Sequence, residues 1–189
     1  MALVEVTWHG RGGQGAKTAS QFLGEAALET GKYIQAFPEY GPERAGAPIR
    51  AYTRISDEPI YIHSSITNPD IVVVIDPTLL GVVDVTEGMD KDAVLLVNSE
   101  KSPQEIRKLV KFNDGKVGTV DATKIALETL KLPMPNMPML GAFLKVNSIV
   151  SIDELTAIVK SKFLKKIGEE KTNANIEGIK RAYNELKLG

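Results

Sequence analysis

The chain has no cysteine in its 189 residues. That excludes disulfides, a thiol nucleophile and cysteine-ligated iron–sulfur clusters within it. It has two histidines, His9 and His63, too few for a multi-histidine metal site. A net charge of −1 gives no general attraction to nucleic acid or to an anionic membrane. No apolar run approaches the roughly 20 residues that span a bilayer. The opening MALVEVTWHG lacks the basic start and small-residue cleavage site of a secretory signal. The expectation is a cytoplasmic protein that binds neither nucleic acid nor membrane, with any redox or metal chemistry carried on other chains.

What is present is ordinary for a globular protein: 43% hydrophobic and 25% charged residues. The length suits one substantial core, and no repeat or linker divides it, so residues 1–189 are expected to form one domain. LVEVTW (3–8) alternates apolar and polar residues and predicts a strand, followed by a helix over 16–30 closed by Gly31. YIQAF (33–37) predicts a second strand. IRAYTRI (49–55) and IYIHSS (60–65), joined by SDEP, predict an antiparallel hairpin. PDIVVVID (69–76) has the unbroken β-branched run of a strand buried on both faces; DAVLLVNS (92–99) repeats it, and KVGTVDAT (116–123) echoes it. SPQE (102–105) and SIDE (151–154) are capping boxes that open helices. Leu155, Ile158, Val159, Phe163 and Ile167 share a face of the second, and Ile176, Ile179, Tyr183 and Leu186 form the stripe of a last helix. KIGEEKTNAN (166–175) is expected to be a turn between those two. Strands alternating with helices around one hairpin give an α/β fold: a three-layer α/β/α sandwich with a mixed, mostly parallel sheet.

The candidate sites begin at residues 10–15, where Gly10, Arg11, Gly12, Gly13, Gln14 and Gly15 satisfy G-x-G-x-x-G between a strand and a helix. Glycines let backbone N–H groups approach an anion, and the helix N-terminus adds its positive dipole end. The same spacing also serves a purely structural tight turn, and both readings stand. A dinucleotide site would need an acid at the tip of the second strand, and Glu39 lies beyond Pro38 in a stiff loop. That loop, PEYGPERAGAP (38–48), carries Glu39, Tyr40, Glu43 and Arg44 on fixed bends and reads as a shaped contact surface. Arg50, Tyr52 and Arg54 share one strand face, expected to be solvated unless it lies near the glycines. Asp76, Asn98 and Asp121 end apolar strands, as crevice residues or as caps. His9 reads as a packing residue or a polar contact, and His63 has no evident partner. Met134, Met137 and Met139, among Pro133, Pro135 and Pro138, predict a loop that packs or meets another chain. No nucleophile–base pair, carboxylate pair or metal cluster can be assembled from the sequence.

Taken together, WHGRGGQGAKTAS (8–20) and PEYGPERAGAPIRAYTRISDEPI (38–60) resemble the gamma subunit of the 2-oxoacid:ferredoxin oxidoreductases, the domain called III in single-chain members. PDIVVVIDPTLL (69–80), NMPMLGAFLKV (136–146) and NANIEGIKRAYNEL (173–186) extend the resemblance over nearly the whole chain. ERAGAP (43–48) is similar to pyruvate-type subunits, whereas 2-oxoglutarate-type subunits tend to double the glycine after the arginine; branched-chain enzymes remain open. The resemblance implies a cytoplasmic heterotetramer with alpha, beta and delta partners that converts pyruvate, coenzyme A and oxidised ferredoxin to acetyl-CoA, carbon dioxide and reduced ferredoxin. It implies thiamine diphosphate, Mg²⁺ and [4Fe–4S] clusters on those other subunits, and no cofactor or catalytic residue held by this chain alone. Its expected site residues, for coenzyme A or a partner, are Gly10, Arg11, Gly12, Gly13, Gln14, Gly15, Tyr40 and Arg44. Two readings of other classes compete: a free-standing Rossmann-type nucleotide-binding module, and a pure interaction protein.

Overall fold

The computed structural model describes residues 3–39 and 46–189. Seven strands form one sheet in the order β2-β3-β1-β4-β5-β6-β7. They are β1 (Val4–Arg11), β2 (Tyr33–Pro38), β3 (Pro48–Ser56), β4 (Ile71–Val74), β5 (Val94–Asn98), β6 (Lys116–Val120) and β7 (Lys187–Leu188). β1, β4, β5 and β6 pair in parallel. β3 lies antiparallel between β1 and β2, and β7 antiparallel on β6, so five of the seven strands run the same way. The expected mixed, mostly parallel sheet is what forms.

Helices α1 (Ala16–Glu29), α3 (Ala122–Leu130), α4 (Asn136–Val146) and α5 (Ile152–Glu185) lie on one face, around Trp8, Leu23, Val73, Phe143 and Ile179. α2 (Pro103–Val110) and the short 3-10 turn Pro77–Gly81 cover the other, around Val72, Leu79, Val97 and Ile106. β4 shows why a β-branched run marks a central strand: Ile71 and Val73 join the first cluster while Val72 and Val74 join the second. Both capping boxes form, with Ser102 and Ser151 accepting from the backbone N–H of Glu105 and Glu154.

Three expectations are corrected. The hairpin of 49–55 with 60–65 does not form. β3 already has a strand on each side, β2 and β1, so no free edge remains for residues 60–65. Those residues instead cross the sheet face as extended chain, with Ile60 and Ile62 carbonyls accepting from the Gln35 amide and the Ser64 carbonyl from Arg54. The methionine segment is not a loop from 136 onward but α4, with Met137 and Met139 buried and only Met134 exposed. Its prolines fit because Pro135 and Pro138 stand at the cap and first turn, where no helical N–H is owed. The turn expected over 166–175 shrinks to Gly168, whose φ of 83° and ψ of 170° break α5, and 169–185 are helical.

Candidate functional site

The chain leaves β1 toward α1 on one face and leaves β4 toward the 3-10 turn on the opposite face. The gap between those two connections is where open α/β sheets place ligands. The glycine segment lies there, at the carboxyl end of β1, facing Asp76 and Thr78 at the end of β4. Arg11 is engaged by its own chain although its side chain stays 28% exposed. Its guanidinium donates to Thr78 Oγ1 at 3.0 and 3.2 Å and to the Gly46 carbonyl at 3.1 Å, and it stands 3.2 Å from the Asp76 carboxylate. Gln14 closes the ring: its amide donates to Asp76 Oδ2 at 2.7 Å while its Oε1 accepts the Arg11 backbone N–H at 2.7 Å. Burial alone would raise the Asp76 carboxyl, but hydrogen bonds from Thr78 and Gln14 with the Arg11 charge outweigh it and hold the pKa below the usual range. Arg11, Gln14, Asp76 and Thr78 thus form one latch across the switch point.

The glycines divide the remaining work. Gly12 N–H is bound to the Ala47 carbonyl, which ties the turn to the start of β3. Gly13 and Gly15 have φ of 94° and 80°. Gly15 is the N-cap of α1, with no side chain capping it. A Cβ there would also lie 2.5 Å from the Asn136 amide nitrogen. Asn136, at the start of α4, is only 4% exposed and makes no side-chain hydrogen bond among the described residues. The α1 N-terminus therefore carries its free backbone donors, its dipole and a buried amide pointing at its cap. Lys17, the second residue of α1, is exposed. Tyr40 and Arg44 lie outside the described residues.

The face expected to be solvated is a second polar assembly. In register on β1 and β3, Glu5 opposes Arg54, Thr7 opposes Tyr52 and His9 opposes Arg50. Arg54 is 1% exposed and donates to Glu5 at 2.7 Å, to Gln35 and to the Ser64 carbonyl. Residues 57–69 cover this half of the sheet, which is why the face is polar yet buried. Tyr52 OH donates to Glu39 at 2.8 Å, and Arg50 lies 3.9 Å from the same carboxylate. Glu39 is thus engaged by its own sheet rather than held out for a ribose. Burial keeps the His9 imidazole neutral, its pKa lowered to about 4; the Arg50 charge adds to this and Asp84 opposes it.

The other strand-end residues are caps and braces. Asn98 donates to the Ile75 carbonyl and to Thr123 and accepts the Thr123 N–H, while Asp121 caps α3 through Lys124 N–H. His63 is exposed beside Gln35 and Phe37. Sequence reasoning missed Thr78 and Asn136. Thr78 had a signal, since Asp-Pro-Thr after a strand makes a turn in which Asp76 accepts both Thr78 donors. Asn136 had none, because its place depends on how α4 docks. Among the described residues, no three His, Asp or Glu side chains come together as a metal site, and no helix is long and apolar enough to cross a membrane.

Comparison with known proteins adds to this geometry. Residues 5–185 match the model of the pyruvate ferredoxin/flavodoxin oxidoreductase family. The chain is 52% identical over 183 residues to pyruvate synthase subunit PorC of Thermotoga maritima, covering 97% of this chain and 94% of that one. It is 47% identical to the pyruvate/ketoisovalerate oxidoreductases common subunit gamma of Pyrococcus abyssi, covering 95% and 97%. The crystal structure of the Thermotoga maritima subunit superposes with a TM-score of 0.89 at 47% identity, covering 100% of this chain and 99% of that one. With nearly its whole length matched at this identity and in this fold, the chain belongs to the pyruvate ferredoxin/flavodoxin oxidoreductase family, among its gamma-type subunits.

Proposed function

We propose that the chain is the gamma subunit of a cytoplasmic pyruvate:ferredoxin oxidoreductase, a single domain working with alpha, beta and delta partners. The complex oxidatively decarboxylates pyruvate with coenzyme A to acetyl-CoA and carbon dioxide and passes the electrons to ferredoxin. The observation that carries this reading is the 52% identity over 97% of the chain to a pyruvate synthase subunit. The chain's own chemistry agrees: with no cysteine, it leaves cluster ligation to other chains. Thiamine diphosphate with Mg²⁺, on another subunit, supplies the carbanion chemistry at the keto carbon. The Pyrococcus abyssi relative is named a subunit common to oxidoreductases of two 2-oxoacids. Such sharing suits a chain whose polar residues are spent on latches and buried pairs, leaving choice of the acid to its partners.

Within the complex, the glycine segment takes a phosphate of coenzyme A. Support comes from the uncapped α1 N-terminus and the buried Asn136 amide beside it. Arg11 acts indirectly in this reading, because Asp76 neutralises it and its hydrogen bonds hold the turn open at Gly13 and Gly15. Tyr40 and Arg44, which lie outside the described residues, count among the coenzyme A contacts in the same reading. The test is the reconstituted complex, assayed for pyruvate-dependent viologen reduction with and without this chain, and then with Asn136→Ala, Arg11→Ala and Arg44→Ala. Loss of a phosphate contact raises the KM for coenzyme A about tenfold. Reduction of one electron equivalent by pyruvate alone stays intact. Equal loss of both, with assembly broken, would leave only a scaffolding role. Tight stoichiometric NADH binding by the isolated chain would favour the nucleotide-module reading instead.

A further inference from the structure

The polar half of the sheet encloses a cavity of about 150 Å³ that neither the glycine segment nor the latch uses. Its floor is Thr7 and His9 of β1 with Tyr52 of β3, and residues 65–69 form one wall. Two floor groups have no hydrogen-bond partner among the described residues, and of these Thr7 Oγ1 is the one shut off from solvent. Thr7 Oγ1 has no hydrogen bond, and neutral His9, 4% exposed, makes none with its ring. Orphaned buried polar atoms cost stability, and a fold carries them where something else completes them. The rim fixes the sign of that something. Among the described residues, Glu39, Asp84 and Glu87 set three carboxylates against the one guanidinium of Arg50, which pairs with Glu87 at 3.3 Å. The described side chains of the ring thus hold a net charge of −2, with a hydroxyl and an imidazole nitrogen free to accept beneath them.

An anion is excluded by that rim, and an apolar group by that floor. The complement is a cationic group rich in N–H donors on a stem slender enough for the cavity. We propose that this cavity is a socket for a basic side chain, lysine or arginine, presented by a neighbouring subunit of the oxidoreductase. The incoming N–H groups donate to Thr7, His9 and the Asp84 and Glu87 carboxylates, and the stem passes Ile66 and Pro69. The socket lies on the face opposite α1, so it anchors the chain by a surface separate from the one assigned to coenzyme A. It rests on the subunit reading above for the existence of a partner, but not for the position of any ligand.

The test is carboxylate labelling with a carbodiimide and glycine ethyl ester, read by mass spectrometry on the free chain and on the purified complex. Glu87 is 67% exposed on its side chain and labels readily in the free chain. In the complex, Glu87 and Asp84 are expected to lose most of that labelling, and without the ester Glu87 cross-links to any lysine that fills the socket. Asp84→Asn with Glu87→Gln weakens retention of the chain by about tenfold or more and makes it salt-sensitive. Thr7→Val distinguishes a socket from general coverage. It leaves the free chain as stable or more stable, by removing an orphaned hydroxyl, yet loosens the complex. Unchanged labelling of Glu87 in an intact complex overturns the socket while leaving the subunit reading standing. So does a Thr7→Val complex as tight as the parent. Failure of the chain to enter any complex overturns the subunit reading itself.

Discussion

His9 is a base that the fold keeps neutral, and this has a direct consequence for acid stability. Its folded pKa of about 4 lies below the ordinary 6.5, so between those values the unfolded chain binds the proton and the folded chain does not. Stability from this group is therefore complete above pH 6.5 and drains away as pH falls toward 4. The full loss is roughly 3 kcal/mol. Denaturant titrations at about pH 7.5 and about pH 5 should show about 2 kcal/mol of that fall in the parent and a much smaller one in His9→Gln. The Glu5–Arg54 pair offers a second contrast at this scale. Removing Glu5 strands a guanidinium that is 1% exposed, so Glu5→Ala should cost roughly 3 kcal/mol. Glu25→Ala, at the exposed pair with Lys162, should cost well under about 1 kcal/mol in the same titration. Neither burial was legible in the sequence. Arg50, Tyr52 and Arg54 alternate with apolar neighbours as a solvated strand does, and only the path of residues 57–69 across them turns that face into an interior. The latch was half legible, because the glycine spacing marks the switch point while Asp76 and Thr78 arrive from a strand sixty-odd positions away.

At the scale of elements, sequence and structure agree where the signal is local. Capping boxes depend on four adjacent residues, and both form; β4 depends on its own β-branched run, and it lies buried on both faces. They part where the deciding neighbour is distant. Residues 60–65 have strand-like alternation, but the edge they would join is taken by β2 and β1. Residues 133–139 look like a proline-broken loop, but from Asn136 a pocket among α1, α3, α5 and the sheet favours a helix that is apolar all round. That place demands close approach, since α4 meets α5 backbone to backbone. A Cβ on Gly141 would overlap the Ile179 carbonyl oxygen, which belongs to a helix backbone and cannot swing away. Gly141→Ala should therefore lower stability by at least about 2 kcal/mol by thermal or denaturant unfolding. Gly168→Ala fails for a different reason: nothing crowds that position, but its φ of 83° and ψ of 170° suit glycine alone. Its cost should come with a change in helical content as the two halves of α5 lose their angle.

For the whole molecule, the sheet is the element that both cores share. Val73 and Leu96 face the α1–α4–α5 cluster, while Val72, Leu95 and Val97 on the same strands face the α2 cluster. A strand cannot leave one cluster without leaving the other, so the two layers should unfold together although they have no helix in common. Trp8 gives a built-in probe of one side. It is the only tryptophan, fully buried, with its indole N–H donating to Thr53 and its ring 6.1 Å from that of Phe143. Phe112, buried in the other cluster, is the place to move that probe in a Trp8→Phe, Phe112→Trp double variant. The expectation is one transition. Indole fluorescence from Trp8 in the parent, indole fluorescence from the relocated probe in the variant, and far-UV dichroism in each should trace a single step, coincident within each protein. If the α2 side melted first, its fluorescence would change while helical signal from α4 and α5 persisted. The sheet would then be two cooperative units meeting at β4 and β5, and the socket, which Val72 of the α2 cluster lines and Asp84 rims, would lose that wall with the less stable of them.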